Sequence, residues 1–164
     1  MIFGMTYFTL FHVLLSLIGI ATGFIVMFGL FGGKKLDGRT TIFLLSTILT
    51  SVTGFFFPFT HLLPSHILGI FSLILLAIAL YARYGRNMMG GWRKTYVVTA
   101  MLALYLNVFV LVAQLFQKVP GLKALAPKGS EPPFLIAQSV ILILFILLTN
   151  RAIKSFRGEA LRPV

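Results

Sequence analysis

The sequence contains no cysteine and only three acidic residues, Asp37, Glu131 and Glu159. Without a thiol, the chain cannot form a disulfide, a thiolate nucleophile, a thiolate metal site or a CxxC redox pair. An aspartyl intramembrane protease needs two aspartates, and Asp37 is the sole aspartate of the chain. The scarcity of these side chains therefore excludes thiol-based chemistry and aspartyl intramembrane proteolysis.

Charge is scarce throughout. Only 10% of the residues are charged and 59% are apolar, with a mean hydropathy of +1.01. Water-soluble chains carry about a quarter charged residues and about half apolar ones. A sphere of 164 residues could not hide so much apolar surface from water. The composition therefore indicates an integral membrane protein.

Long uncharged runs define the crossings. A helix needs roughly 20 apolar residues to span a hydrocarbon layer of about 30 Å. One run, 40–82, is too long for a single helix and is interrupted by Pro64 in the turn 61–66. We therefore predict an all-α, five-helix transmembrane domain over 1–150, followed by a basic cytoplasmic tail, 151–164. The five predicted helices are about 8–32, 41–62, 65–83, 95–117 and 134–150.

The distribution of lysine and arginine predicts the orientation of the bundle. One side holds Lys34, Lys35, Arg39, Arg83, Arg86, Arg93, Lys94, Arg151, Lys154, Arg157 and Arg162. The other side holds only Lys118, Lys123 and Lys128. This asymmetry places the N-terminus outside and the C-terminus in the cytoplasm. The net charge of +11 then mainly reflects the orientation of the protein in the membrane. The basic residues also attract anionic lipid headgroups. The charge does not indicate nucleic-acid binding.

Small and amide side chains predict the packing faces of the helices. The first helix carries two Gly-xxx-Gly pairs, and the fourth carries a stripe of small and amide residues on one face. We expect that stripe to face protein and not lipid. Its members are Ala100, Ala103, Asn107, Val110, Gln114 and Gln117. Pro58 predicts a kink near the outer end of the second helix, either as a packing feature or as a hinge.

Polar side chains gather near one level of the bundle, about 20 residues outward from the basic ends of the helices. Two interpretations of this level are open. Either the histidines lie at the headgroup boundary and cap a wet turn, or they form a ligand site facing outward. Such a site would suit haem or quinone better than catalytic zinc, because no carboxylate lies nearby to support a metal. The candidate ligand residues are His12, His61, His66, Asn107, Gln114 and Gln138.

No catalytic motif accompanies these residues. The predicted spans contain no charged side chain, and the chain has no P-loop, no GxGxxG and no GxSxG-type serine. We therefore expect a protein without enzymatic activity and without a catalytic metal site. The favoured hypothesis is association with other membrane components, as a homo-oligomer or with another membrane protein. Binding of a hydrophobic ligand or cofactor is the alternative, and passive transport of a neutral solute is a third option.

Three stretches carry a resemblance to known sequences: 105–111, 118–127 and 131–138. In these stretches the chain resembles a group of uncharacterised small polytopic bacterial inner-membrane proteins. The resemblance implies a location in the bacterial inner membrane and brings no activity with it. The loop 118–133 is rich in proline, alanine and leucine and carries three lysines. It predicts either a short segment lying along the outer bilayer surface or a loose loop.

Overall fold

The computed structural model describes residues 6–57 and 64–157, and every regular element in those residues is helical. The prediction of an all-α fold is confirmed. A single π-helical turn, Tyr81–Gly85, continues α3. The helices are α1 Tyr7–Phe31, α2 Asp37–Gly54, α3 Pro64–Leu80, α4 Trp92–Lys118, α5 Pro120–Leu125 and α6 Pro132–Ser155.

Four helical segments are long and apolar enough to cross a membrane. They are Tyr7–Phe31, Ser65–Gly85, Trp92–Lys118 and Pro132–Ser155. The fifth long helix, α2, falls outside this set because its 18 residues include Asp37, Arg39 and a series of serines and threonines. Its hydroxyl groups bond back to its own backbone, as in the bonds from Ser46 Oγ to the Ile42 carbonyl (2.7 Å) and from Thr50 Oγ1 to the Ser46 carbonyl (2.8 Å).

The bounds of α2 differ from the predicted 41–62. The helix begins at Asp37 and ends at Gly54. Its end precedes Pro58, whose ring disfavours helical backbone in the residue before it. The kink expected at Pro58 and the turn that contains His61 lie outside the described residues. Two other helices are longer than predicted: α4 begins three residues earlier, at Trp92, and α6 continues to Ser155, beyond the expected end at 150. Helix α1 is shifted by one residue, and α3 ends at Leu80, before the expected 83, where the π-helical turn follows.

Helix α4 lies at the centre of the bundle, where it contacts α1, α3 and α6, while α2 packs between α1 and α3. The core around α4 consists of packed apolar side chains, among them Val26, Leu30, Phe43, Leu76 and Leu104. The ring of Tyr105 on α4 packs 5.6 Å from that of Phe145 on α6. The apolar faces that remain exposed surround this core, as expected for a bundle whose solvent is lipid.

The two ends of the bundle differ in chemistry. At the basic end α1, α3 and α6 finish while α2 and α4 begin, and contacts such as Arg83–Asp37 and Arg93–Ile153 tie these segments together. At the opposite end, called here the histidine end, lie His12, His66 and α5. Among the described residues, most of the cations lie at the basic end, as the sequence predicts.

Two glycines of α1 allow close helix contact. A Cβ built at Gly23 would lie 2.5 Å from Leu104 Cδ1 and 2.9 Å from Phe43 Cε2. A Cβ at Gly19 would lie 3.1 Å from the Thr47 hydroxyl. The Gly19-xxx-Gly23 pair predicted from the sequence therefore lies where α1 meets both α2 and α4.

We predict that Gly23→Ala destabilises the bundle by about 1–3 kcal/mol, because Leu104 and Phe43 are fully buried and cannot move aside freely. Gly38→Ala is the matched control, since nothing lies within 4 Å of a Cβ at that helical position. The control should be neutral or stabilising by up to about 1 kcal/mol. Unfolding of the purified protein in detergent measures both. Equal stability of the two variants would contradict this packing.

Candidate functional site

His12 is engaged by the end of α2. Its Nδ1 lies 2.8 Å from Thr53 Oγ1, and its ring packs edge-on against Phe57 at 5.1 Å between centroids. The Thr53 hydroxyl lies 2.7 Å from the Leu49 carbonyl and can donate its one proton there. When that proton is donated there, Thr53 Oγ1 is left to accept from Nδ1–H of His12.

His66 contacts the same end of α2 from α3. It is buried, and its ring lies 5.7 Å from the ring of Phe55. Gly69, one turn further along α3, permits this approach, because a Cβ there would lie 3.1 Å from Phe55. His12 and His66 are thus at one level of the bundle, each packed against a different phenylalanine. His61 lies outside the described residues, and no group of three potential metal-binding side chains occurs within residues 6–57 and 64–157.

Asn107 does not join the histidines. It lies near the middle of α4, where its Nδ2 donates to Thr47 Oγ1 at 3.2 Å. Gly19 of α1 closes this contact from the third side. The side chains of Asn107, Thr47 and Ser46 pack around Gly19 as a polar cluster at mid-height, which ties α4 to α2.

The two glutamines of the candidate set have opposite environments. Gln138 on α6 is buried, its Nε2 donates to the Phe109 carbonyl at 3.0 Å, and its buried Oε1 has no hydrogen-bond partner. Gln114 on α4 is exposed, as is Gln117. The expectation that the whole α4 stripe faces protein is therefore wrong at its outer end. The stripe is buried at Ala100 and Ala103 and becomes exposed beyond Val110, because the packing around α4 loosens toward the histidine end.

The loop between α4 and α6 is more ordered than a plain connector. It contains the short helix α5, and Glu131 caps its end by accepting from the backbone N–H groups of Lys128 (2.9 Å) and Ser130 (3.0 Å). The Lys128 N–H in particular holds the pKa of the Glu131 carboxyl below its ordinary value. Pro132 and Pro133 then begin α6, as expected for prolines in the first helical turn.

The residue that sequence reasoning missed is Arg83. Counted from the sequence as an interfacial cation, it is only 3% exposed. Its Nη2 donates to the Asp37 carboxylate and, at 3.2 Å, to the Lys35 carbonyl. Its guanidinium carbon lies 5.1 Å from the ring centre of Tyr96 and 5.6 Å from that of Tyr84. One signal was available, because Asp37 is the sole aspartate of the chain and lies in its most basic region.

A cavity of about 160 Å³ adjoins this arginine at the basic end. It is lined by Lys35, Asp37, Arg83, Tyr84, Asn87 and Met88. Two other arginines at this end lie over aromatic rings. The guanidinium carbon of Arg86 is 5.6 Å from the ring centre of Trp92, and that of Arg151 is 4.7 Å from the ring centre of Phe31. Such contacts keep the charges at the end of the apolar bundle.

We predict an energetic coupling between Asn107 and Thr47. In a double-mutant cycle of Asn107→Leu and Thr47→Val, the coupling should be about 0.6 kcal/mol and no more than about 1.7, as for hydrogen bonds between membrane helices. Thr22→Val is the matched control for Thr47→Val, because the Thr22 hydroxyl bonds only to its own helix backbone. Unfolding in detergent measures the cycle. Equal coupling of Asn107 to both threonines would contradict the bond.

Comparisons of the chain with protein-family models, with curated proteins and with solved structures gave no match. Its own side chains and their geometry therefore carry the functional inference.

Proposed function

We propose that this chain is a bacterial inner-membrane protein that crosses the bilayer five times and associates, without enzymatic activity, with a further transmembrane helix. In this proposal the N-terminus faces outward and the basic end lies in the cytoplasm. The proposed association rests on one observation about α6. Little of this helix packs against the bundle, because only 11% of its apolar stretch is buried.

The fifth crossing is supported by the placement of α2. Its 18 residues extend about 27 Å, close to the thickness of the hydrocarbon layer. Consecutive helices α1, α2, α3, α4 and α6 run antiparallel, so a chain in which the other four cross requires α2 to cross as well. Its buried polar face, including Ser46, Thr47 and Ser51, lies against neighbouring helices and not against lipid.

The orientation predicts the accessibility of the loops, and the absence of native cysteine makes labelling unambiguous. In intact spheroplasts, Lys128→Cys should react with a membrane-impermeant maleimide, because the loop before α6 faces outward. Asn87→Cys, in the exposed loop at the basic end, should react only after the membrane is opened. The reverse pattern would invert the topology, and labelling of both in intact cells would contradict the five crossings.

Helix α6 is held by a single strip. Its buried residues are Gln138, Phe145 and Ala152, spaced by seven, whereas α1 and α4 bury 39% and 50% of their apolar stretches. The rest of α6 exposes branched apolar side chains, together with the polar Ser139 and Asn150. Lipid gives no hydrophobic reason for helices to pair, so pairing depends on packing area and on polar contacts between helices. Helix α6 offers both.

The absence of enzymatic activity is supported by the way the polar residues are used. His12 is bonded to Thr53, and both histidine rings described by the structure pack on phenylalanines. Asn107 is committed to Thr47. These arrangements join helices to one another, and they favour a structural role for the candidate residues over a haem or quinone site.

We predict that a photo-crosslinking amino acid at Ile143 yields a protein adduct in native membranes. Ile143 lies on the exposed face of α6 and is 58% exposed. The matched control is Ile74 on α3, an isoleucine of similar exposure, 52%, on a helix with more of its surface covered. An adduct of twice the monomer mass would identify a second copy, and another mass a different protein.

The control should give lipid adducts alone. If Ile143, Ile136 and Leu147 all crosslink only to lipid, the association proposal is wrong. Equal protein adducts from Ile74 and Ile143 would also count against it, because they would mean random collision in the membrane.

A further inference from the structure

We propose that the cavity beside Arg83 binds a phosphate group, with the Arg83 guanidinium as its main ligand and Asp37 as an internal counterion that the phosphate displaces. The phosphate belongs either to an anionic lipid headgroup or to a soluble phosphate. The lipid source rests on the proposed membrane topology, whereas binding of inorganic phosphate does not.

The first step is the cost of a buried cation. A guanidinium removed from water needs an anion close to it. Arg83 is 3% exposed, and its charged group lies between the rings of Tyr84 and Tyr96. The basic end must therefore keep an anion at this position.

The second step is that the present anion is exchangeable. Although Arg83 is buried, the side chain of Asp37 is 79% exposed. A carboxylate that is mostly in water can rotate away and be hydrated with little loss. Its backbone would stay in place, because the start of α2 is also fixed by the bond from Thr40 Oγ1 to the Lys35 carbonyl at 3.1 Å.

The third step is that Arg83 has donors to spare. Among the described residues, its buried Nε has no hydrogen-bond partner, and its Nη1 makes a long contact of 3.9 Å with the Met88 sulfur. A guanidinium carries five N–H donors in a planar fork that matches two oxygens of a phosphate. The cavity of about 160 Å³ adjoins this group and is lined by residues of the α1–α2 loop, the start of α2, and the π-helical turn and loop after α3.

The fourth step is the surrounding charge. Lys35 and Asn87 line the cavity with Arg83, and Lys34, Arg39 and Arg86 lie on the flanking segments. Asp37 is the only acidic residue that the structure describes at this end. A phosphate, with more negative charge than one carboxylate, therefore matches the site better than Asp37 does.

The test uses the full chain purified in detergent, with inorganic phosphate titrated against chloride at equal ionic strength. The readout is the thermal unfolding midpoint. Asp37→Asn keeps the side-chain shape but removes the competing charge, so phosphate affinity should rise by about tenfold or more. Phosphate should also restore the stability that this variant loses in chloride. A purely structural carboxylate would give a destabilised variant without that rescue.

Three variants control the result. Glu131→Gln removes an acid at the histidine end and should keep the wild-type response to phosphate. Arg83→Lys, which preserves the charge without the fork, should weaken the response, and Arg83→Met should abolish it if that variant folds. Equal phosphate responses in the wild type, Asp37→Asn and Arg83→Lys would overturn the site.

A second titration, with mixed micelles of phosphatidylglycerol or phosphatidylcholine, distinguishes the two possible sources of the phosphate group. Stabilisation by phosphatidylglycerol that depends on Arg83 and competes with inorganic phosphate identifies a lipid headgroup. A response to inorganic phosphate alone identifies a soluble ligand. Lipid stabilisation that ignores Arg83 and Asp37 would reflect the general basic surface and would overturn the site. Because the titrations use the purified chain without a partner protein, their outcomes do not depend on the result of the crosslinking at α6.

Discussion

A polar group inside this bundle is costly unless it finds a partner within the protein, because a bilayer core provides no water. The hydroxyl-rich helix α2 meets this condition mainly within itself, through side-chain bonds to carbonyls one turn earlier. Where a hydroxyl reaches further, it joins helices: Ser51 bonds Ser72 of α3 at 3.1 Å, and Thr47 accepts from Asn107 of α4. The same groups that lower the hydropathy of α2 therefore fix its neighbours.

This constraint also explains the contrast between the two ends. At the histidine end the buried or half-buried polar side chains carry no full charge: His12 bonds the Thr53 hydroxyl, the Gln138 amide donates to a backbone carbonyl, and His66 packs on an aromatic ring. At the basic end the buried group is a full charge, so a carboxylate and two tyrosine rings surround it. A neutral group can be satisfied once and left in place. A buried charge whose carboxylate partner is exposed can exchange that partner for another anion. This is the reason for proposing the phosphate site at the basic end.

The helices themselves could be predicted because the length of an uncharged run and the position of prolines are local properties. The Gly19-xxx-Gly23 contact could be predicted for the same reason. The pairing of Arg83 with Asp37 could not, because it depends on the end of α3 packing against the start of α2. Gln114 was assigned to the protein interior since it shares a face with Asn107. Only the tertiary structure reveals that the packing around α4 loosens before that face reaches Gln114.

Helix α2, the fifth crossing in the proposed topology, illustrates why average hydropathy is an incomplete guide to which helices cross a membrane. By composition alone, it is less apolar than the four segments that are long and apolar enough to cross. Yet α1 covers it closely at Gly19 and Gly23, where the missing side chains let its hydroxyls approach α4, and α3 covers it at Ser72. In the proposed topology, the surface that α2 leaves for lipid is mainly its exposed face of Ile42, Leu45, Leu49 and Val52. A helix can cross when the surface it presents to lipid is apolar, and in α2 that surface is set by its neighbours as much as by its own sequence.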